Sequence, residues 1–370
     1  MNTSHAGDHP VTFLFAYFEP TLGMESVAKD LLEELPHSGQ LRAVAVGGPA
    51  WASSGIATRS LGPRLTGARK VFSVWRLWRS RRMFQGSQVV LVGVWVAIPF
   101  LLLPGWRKRR CVVWEHSLMQ EKIDSARGLQ VLAKLARLVY KRADSVVCVS
   151  LPLTEDVRAL TGHPNVVTIP NLIGPERRGP DDLATQRPDR DASHLVTVGS
   201  LTKTKQQAVV VEAMPLLDPA TTLSIVGDGP ERSAIEERVR QLRLGDRVTF
   251  HGHVEHSESV RLIGEGDLMV HPSAGETFGM VYFEAAQSDT PVLARQNRIA
   301  AAFIPEFVPG AMFTGGAAEL AAAIIDRRAH PSEAETRSAF ERRSHHLGRD
   351  AIVDQWSKQL NLRPHKVVDA

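Results

Sequence analysis

At 370 residues the chain is longer than one hydrophobic core usually serves, so its length predicts two domains and excludes a single small binding module. Hydrophobic residues make up 43% and charged residues 23%, the balance of a folded globular chain; two cysteines, Cys111 and Cys148, exclude a disulfide framework or a four-cysteine zinc site. The net charge of +4 hides an asymmetry: residues 35–114 hold 13 of the 44 Lys and Arg and none of the 40 Asp and Glu, leaving 31 basic against 40 acidic residues, or −9, elsewhere. Such a block favours an anionic surface or a phosphate-bearing ligand.

The first ten residues are polar and lack the basic start and apolar centre of a secretory signal, so the reading is cytoplasmic. The run V-T-F-L-F-A-Y predicts a strand, Met24 to Leu35 a helix, and L-R-A-V-A-V-G a second strand. In A-R-K-V-F-S-V-W-R-L-W-R-S-R-R-M-F, residues 68–84, helical spacing puts Val71, Trp75 and Trp78 on one face. Arg69, Lys70, Arg76, Arg79, Arg81 and Arg82 spread over the others, the composition of an interfacial helix, which predicts contact with an anionic membrane surface at its inner face.

The uncharged run Val89 to Trp106 is long enough to test as a membrane span, but Gly93, Pro99, Pro104 and Gly105 interrupt it. It reads instead as a buried parallel strand, V-V-L-V-G-V-W-V, followed by a short apolar helix. R-C-V-V-W, the helix V-L-A-K-L-A-R-L-V-Y-K-R, S-V-V-C-V-S and V-V-T-I-P follow. The periodicity then stops in a Pro-, Gly- and charge-rich stretch, read as a linker over 176–193. A second series runs H-L-V-T-V-G-S, helix Gln207 to Leu217, T-L-S-I-V-G-D-G, helix Glu231 to Leu242, R-V-T-F-H-G, helix Ser257 to Gly264, D-L-M-V-H-P-S, helix Gly279 to Gln287 and T-P-V-L-A. The alternation predicts an α/β chain of two Rossmann-like, doubly wound domains, 1–175 and 194–345, with ligands at the carboxyl ends of the strands. Residues 346–370 carry an amphipathic helix, Arg349 to Leu360, whose Trp356 predicts that it packs back on a domain.

The segment richest in chemistry is H-P-S-A-G-E-T-F-G-M-V-Y-F-E-A-A-Q. Gly279 stands where a helix begins, and free amides at such a terminus bind phosphate, with no Cβ to keep the anion away. Glu284, about 7.5 Å further along the helix axis at 1.5 Å per residue, suits a ribose attached to that phosphate. Glu276, before the helix, suits a sugar on the phosphate's other side, although an acid at a helix start is also favourable simply as a cap.

This E-T-F-G-M-V-Y-F-E segment resembles the glutamate-pair signature of the retaining GT-B glycosyltransferases of family 4. V-G-S-L-T-K-T-K-Q, V-G-D-G-P-E-R, V-T-F-H-G-H-V, E-H-S and T-I-P-N-L-I resemble further motifs of that family, most strongly over Val196 to Ala294. The resemblance implies a GT-B fold with the two domains facing across a cleft, the first for the acceptor and the second for the donor. It implies transfer of a sugar from a nucleotide-diphosphate donor to an acceptor hydroxyl with retention of configuration. Glu284 would hold the ribose, Glu276 the donor sugar, and the backbone of Gly279, Met280 and Val281 the diphosphate, with Phe278 also at the donor. Lys205 would neutralise the leaving group, His116 would stand near the donor sugar, Gly23 would lie in the first glycine-rich loop, and His253 and Val254 would lie near the base.

The chain departs from the pattern at Ser200, where the family has arginine, at Gln206, where it has glycine, and at Met24. One expected phosphate cation is thus missing, so that either Lys203 compensates or leaving-group stabilisation is weaker. The alternatives are a sugar-nucleotide 2-epimerase of the same fold, or a catalytically silent scaffold that binds a membrane or partner. A metal site at His251 and His253, or at Asp189 and Asp191, has no supporting context, so no metal, no cofactor and no nucleic-acid partner are expected. The acceptor reads as a lipid-linked sugar, a cell-surface glycan precursor or a secondary metabolite.

Overall fold

The computed structural model describes residues 9–18, 23–36, 40–50, 56–66, 69–70, 72–101, 103, 105, 110–117, 130–174, 193–326 and 332–362. It divides the chain into two compact units, Met1–Leu172 with Asp350–Ala370, and Ile173–Arg349.

The first unit is built on seven parallel strands: β1 (Val11–Tyr17), β2 (Leu41–Gly47), β3 (Ala57–Ser60), β4 (Gln88–Val92), β5 (Cys111–Glu115), β6 (Ser145–Cys148) and β7 (Val166–Thr168). They lie in the order β3-β2-β1-β4-β5-β6-β7. Helices α1 (Gly23–Glu34), α2 (Phe72–Arg79), α3 (Val94–Leu101), α4 (Gln130–Arg142) and α5 (Leu151–Thr161) connect them. Every residue of β4, β5 and β6 is buried, because a parallel strand covered by helices on both faces has no polar side to show.

The second unit repeats the plan with β8 (His194–Val198), β9 (Thr222–Val226), β10 (Val248–Gly252), β11 (Leu268–His271), β12 (Val292–Arg295) and β13 (Gly310–Phe313), in the order β10-β9-β8-β11-β12-β13. Its helices are α6 (Ala208–Ala213), α7 (Arg232–Gln241), α8 (His256–Glu265), α9 (Met280–Gln287), α10 (Arg298–Phe307), α11 (Ala317–Ile325) and α12 (Glu333–His346). In each sheet the strand order reverses once, between β1 and β4 and between β8 and β11. Loops leaving the carboxyl ends of strands at such a point diverge and open a crevice for a ligand.

Two readings change. The strand predicted over V-V-L-V-G-V-W-V ends at Val92, since Gly93 turns left-handed (φ 81°) and α3 starts at Val94. The long apolar run is thus a strand and a helix with one glycine between them, and among the described residues no helix is long and apolar enough to cross a membrane. The helix predicted over Gln207 to Leu217 is α6 followed by a 3-10 turn, Met214–Leu216. Of the linker read over 176–193, residues 176–192 lie outside the described residues.

The last helix, α13 (Arg349–Leu360), belongs to the first unit. Trp356 is wholly buried, its ring 4.7 Å from that of Trp114 and 6.3 Å from that of Phe13, and Gln359 Nε2 donates to Ser145 Oγ at 2.7 Å.

Candidate functional site

The site in the second unit is assembled by the loops after β8 and β11, on either side of the reversal. His271, the final residue of β11, is buried and its Nε2 lies 2.6 Å from Glu276 Oε1. Lys205, from the loop after β8, donates to the same oxygen. Burial works to raise the Glu276 pKa, but the hydrogen bond from His271 and the Lys205 charge outweigh it and bring it down to about 2. Glu276 is therefore ionised and accepts from both partners. Its contribution to stability is fully present above its ordinary pKa of 4.5 and is lost as the pH falls toward 2. Burial lowers the His271 pKa, so the ring is neutral, protonated at Nε2, and its Nδ1 has no partner among the described residues.

The loop after β11 is braced from several sides. Ala274 N–H donates to Thr204 O (2.9 Å), Arg295 Nε to Pro272 O (3.0 Å) and Asn297 Nδ2 to Ser273 O (3.1 Å). The first bond ties the Lys205 and Glu276 loops together and the other two anchor the Glu276 loop to the end of β12, so the ion pair rests on paired backbone rather than on two free side chains.

Gly279 ends this loop in the left-handed region (φ 79°), and a Cβ there would lie 2.5 Å from the Tyr282 ring. Tyr282 in turn stands edge-on to His271, with centroids 5.3 Å apart. The amides of Gly279, Met280 and Val281 donate to no acceptor among the described residues, the ordinary state of a helix's first turn and the one an anion can use. Phe278 is different: its ring is buried against Phe283 and Phe303, at 5.1 and 4.9 Å, so only its backbone can meet a ligand. The Glu284 carboxyl group is mostly buried and accepts no hydrogen bond from the described residues. Burial raises its pKa, and the nearest cation candidate, His256 Nδ1, is 4.0 Å away, too far for a hydrogen bond. A desolvated carboxylate with no protein donor is costly unless a ligand supplies one.

In the loop after β8, Ser200 and Lys203 are exposed. Lys203 lines a separate cavity of about 590 Å³ with Gln206, Glu212, Arg238 and Arg295, which Glu276, Glu284 and Lys205 do not border. The loop is held against its neighbour by glycines. A Cβ on Gly227 would fall 2.1 Å from Gly199 O and one on Gly229 2.4 Å from Leu201 O, which explains V-G-D-G-P as two close backbone approaches. Gln206 adopts φ 53°, a conformation that favours glycine and costs an L-residue about 1 kcal/mol. Gln206→Gly is expected to stabilise the protein by up to that amount, less the entropy of a freer unfolded chain, as read from urea unfolding midpoints.

His251 and His253 do not share a strand face, because β10 ends at Gly252 with φ 70°. His251 Nε2 pairs with Ser224 Oγ (3.1 Å); His253 is exposed and Val254 half-buried. Asp189 and Asp191 lie outside the described residues, among which no group of three His, Cys, Asp or Glu could hold a metal.

In the first unit the E-H-S segment is organised by a residue the sequence reading passed over. Glu115 is fully buried at the end of β5. Its Oε1 accepts from the amides of His116 (2.9 Å) and Ser117 (2.8 Å) and from Ser117 Oγ (2.6 Å), and its Oε2 from Tyr140 OH (2.5 Å). His116, so held, lies on Trp114 with centroids 4.6 Å apart; burial lowers its pKa to about 3, so the ring is neutral near pH 7. Gly23 opens α1, and Met24 reaches across the reversal of this sheet to Gly93, where a Cβ would be 3.9 Å from its sulfur.

Residues 22–177 match the family model for Glycosyltransferase Family 4 and residues 182–345 that for Glycosyl transferases group 1. The chain belongs to the GT-B glycosyltransferases. This GT-B chain is similar to glycogen synthase of Mycobacterium tuberculosis, with 31% identity over 176 residues, 46% of this chain and 42% of the relative. It is also similar to the gpi3 subunit of phosphatidylinositol N-acetylglucosaminyltransferase of Schizosaccharomyces pombe, with 28% identity over 50% of this chain and 40% of the relative. The match thus spans about two fifths of the length of these relatives. Among solved structures, Anabaena HepE in complex with UDP and glucose shares the fold with a TM-score of 0.76 at 18% identity, over 95% of this chain and 99% of that one.

Proposed function

We propose that the protein transfers a sugar from a nucleoside-diphosphate donor to an acceptor hydroxyl with retention of configuration, the second unit holding the donor. The observation that carries this reading is Glu284, a desolvated carboxylate with no donor of its own, placed one helix turn and more beyond three unpaired amides. Ribose hydroxyls would satisfy the first and a diphosphate the second. Glu276, kept ionised by His271 and Lys205, accepts from donor-sugar hydroxyls. As the sugar–phosphate bond breaks, negative charge gathers on the departing diphosphate, which Lys205 neutralises. The acceptor oxygen bonds to the same face of the anomeric carbon, and its proton passes to the departing phosphate oxygen. His116, neutral, serves as a hydrogen-bonding group rather than as an acid. The relatives named above, glycogen synthase and an N-acetylglucosaminyltransferase subunit, and HepE, seen with UDP and glucose, support this donor class. The acceptor is a lipid-linked sugar, a glycan precursor or a secondary metabolite, met in the cytoplasm. The exposed Ser200, without the family's arginine, favours a second reading as a catalytically silent scaffold that binds a membrane or partner.

Calorimetry with UDP tests the donor site. Glu284→Ala should weaken UDP binding by roughly 10- to 100-fold, the worth of a charged hydrogen bond at about 1.5–3 kcal/mol. Unchanged affinity removes Glu284 from the ribose site. Because burial raises the Glu284 pKa, affinity should also fall as the pH drops through that raised value and the carboxylate is lost. The extra loss, measured against Glu284→Gln, isolates this group from titration of the phosphate. Slow hydrolysis of the donor without acceptor reads configuration: proton NMR should show the donor's own anomer released first, and donor that is never consumed selects the silent reading.

A further inference from the structure

Two side chains fix how α2 sits on the first unit. Leu77 is wholly buried, and the Arg76 guanidinium donates to Val46 O (2.9 Å) and Pro63 O (2.6 Å). A Cβ on Gly62 would lie 2.9 Å from the guanidinium carbon, so the glycine makes the room that Arg76 occupies. Arg76, grouped by the sequence with the surface cations, is thus committed to backbone; Val71 lies outside the described residues. With Arg76 and Leu77 turned inward, the helical repeat turns Phe72, Trp75 and Trp78 outward, where they are 55%, 54% and 47% exposed.

Large apolar rings at this exposure, three together on one helix face, mark an interaction surface. Cations rim them. The Arg79 guanidinium lies 5.8 Å from the Trp75 centroid and that of Arg81 4.5 Å from that of Trp78, while Arg69, Lys70, Arg79 and Arg82 are exposed. With no Asp or Glu anywhere in residues 35–114, the neighbouring sequence offers no carboxylate to Arg69, Lys70, Arg79 or Arg82. A second copy docking through the same patch would set cations against cations. An indole ring with a guanidinium beside it suits a lipid headgroup layer, where the ring enters the apolar boundary and the guanidinium reaches phosphate.

We propose that α2 and its flanking cations dock the protein on an anionic lipid surface, with Phe72, Trp75 and Trp78 at headgroup depth and Arg69, Lys70, Arg79 and Arg82 against acidic headgroups. Membrane contact here needs no spanning segment, and it stands independently of the donor site.

The test is co-sedimentation of the full chain with phosphatidylcholine vesicles, with and without phosphatidylglycerol, at low and high salt. The chain should pellet only with phosphatidylglycerol, and high salt should release much of it. Arg79→Gln and Arg82→Gln should each lower partitioning about fivefold. Trp75→Ser with Trp78→Ser should lower it about tenfold or more. These side chains are exposed, so the fold should survive, which an unchanged urea midpoint checks; Trp75→Phe with Trp78→Phe should keep most of the binding. Absence of pelleting at low salt overturns the proposal. So does equal binding to neutral vesicles, or pelleting untouched by the serine variants. Sedimentation velocity showing a dimer lost in the serine variants, without vesicle binding, assigns the patch to self-association instead; displacement of the chain from vesicles by single-stranded DNA at low salt, together with tighter binding of the DNA, assigns it to nucleic acid.

Discussion

Lys205→Ala is expected to lower turnover by about 10²- to 10³-fold while changing donor affinity far less. In the proposed reaction the diphosphate, already anionic in the donor, gains one further negative charge as the sugar departs, so the ammonium would act mainly in the transition state, and removing one such preorganised group typically has an effect of that size. The structure adds a second reason. Lys205 and His271 converge on one oxygen of Glu276, so the alanine variant leaves that carboxylate with a single donor and lets its pKa rise from about 2. UDP release, followed at saturating and limiting donor, separates kcat from KM. Lys203→Ala should stay within a few-fold of the parent, because that side chain is exposed and borders a different cavity. A larger loss at Lys203 than at Lys205 would mean that the cation meeting the phosphate had been misassigned.

Glu115→Ala should cost about 3–5 kcal/mol of stability, because four donors that now converge on a wholly buried carboxyl group would be left without an acceptor. For a unit of this size that corresponds to a fall in Tm of roughly 10 °C. Glu115→Gln keeps an acceptor oxygen and the side-chain volume and should cost about half as much. Thermal unfolding of the three proteins checks the order. If alanine and glutamine are both neutral, water must replace the carboxyl group, and the segment carrying His116 is not positioned by Glu115.

Much of the second unit could be read from the chain because its strands are short apolar runs set off by glycine and proline. The Glu276–Glu284 segment was legible because a glycine at a helix start and two flanking acids carry their chemistry in local spacing. What was missed is long-range or unpunctuated. Nothing local says that Lys205 and Glu276, 71 positions apart, share an oxygen, or that His271 at a strand end faces that oxygen. Glu115 has no reading of its own beyond the E-H-S resemblance, although a carboxylate directly after C-V-V-W, with a tyrosine on the following amphipathic helix, is a signal in the sequence. α12 went unseen because it is polar nearly all round; its capping box at Ser332 and Glu335 was the available sign. The exposed Trp95, in the run that reads as strand, lies in the first turn of α3, because an apolar pattern alone does not reveal the left-handed turn at Gly93.

The placement of α13 sets an order of events during synthesis. The second unit is a contiguous stretch and can close as soon as it leaves the ribosome. The first is discontinuous: the hydrophobic hole bordered by Phe13 and Trp114 stays open until Trp356, more than two hundred residues later, arrives to fill it. The half of the protein translated first is therefore the last to be finished. Until then it carries an unfilled aromatic cleft that a chaperone could hold, and a fragment ending at residue 172 would carry it permanently.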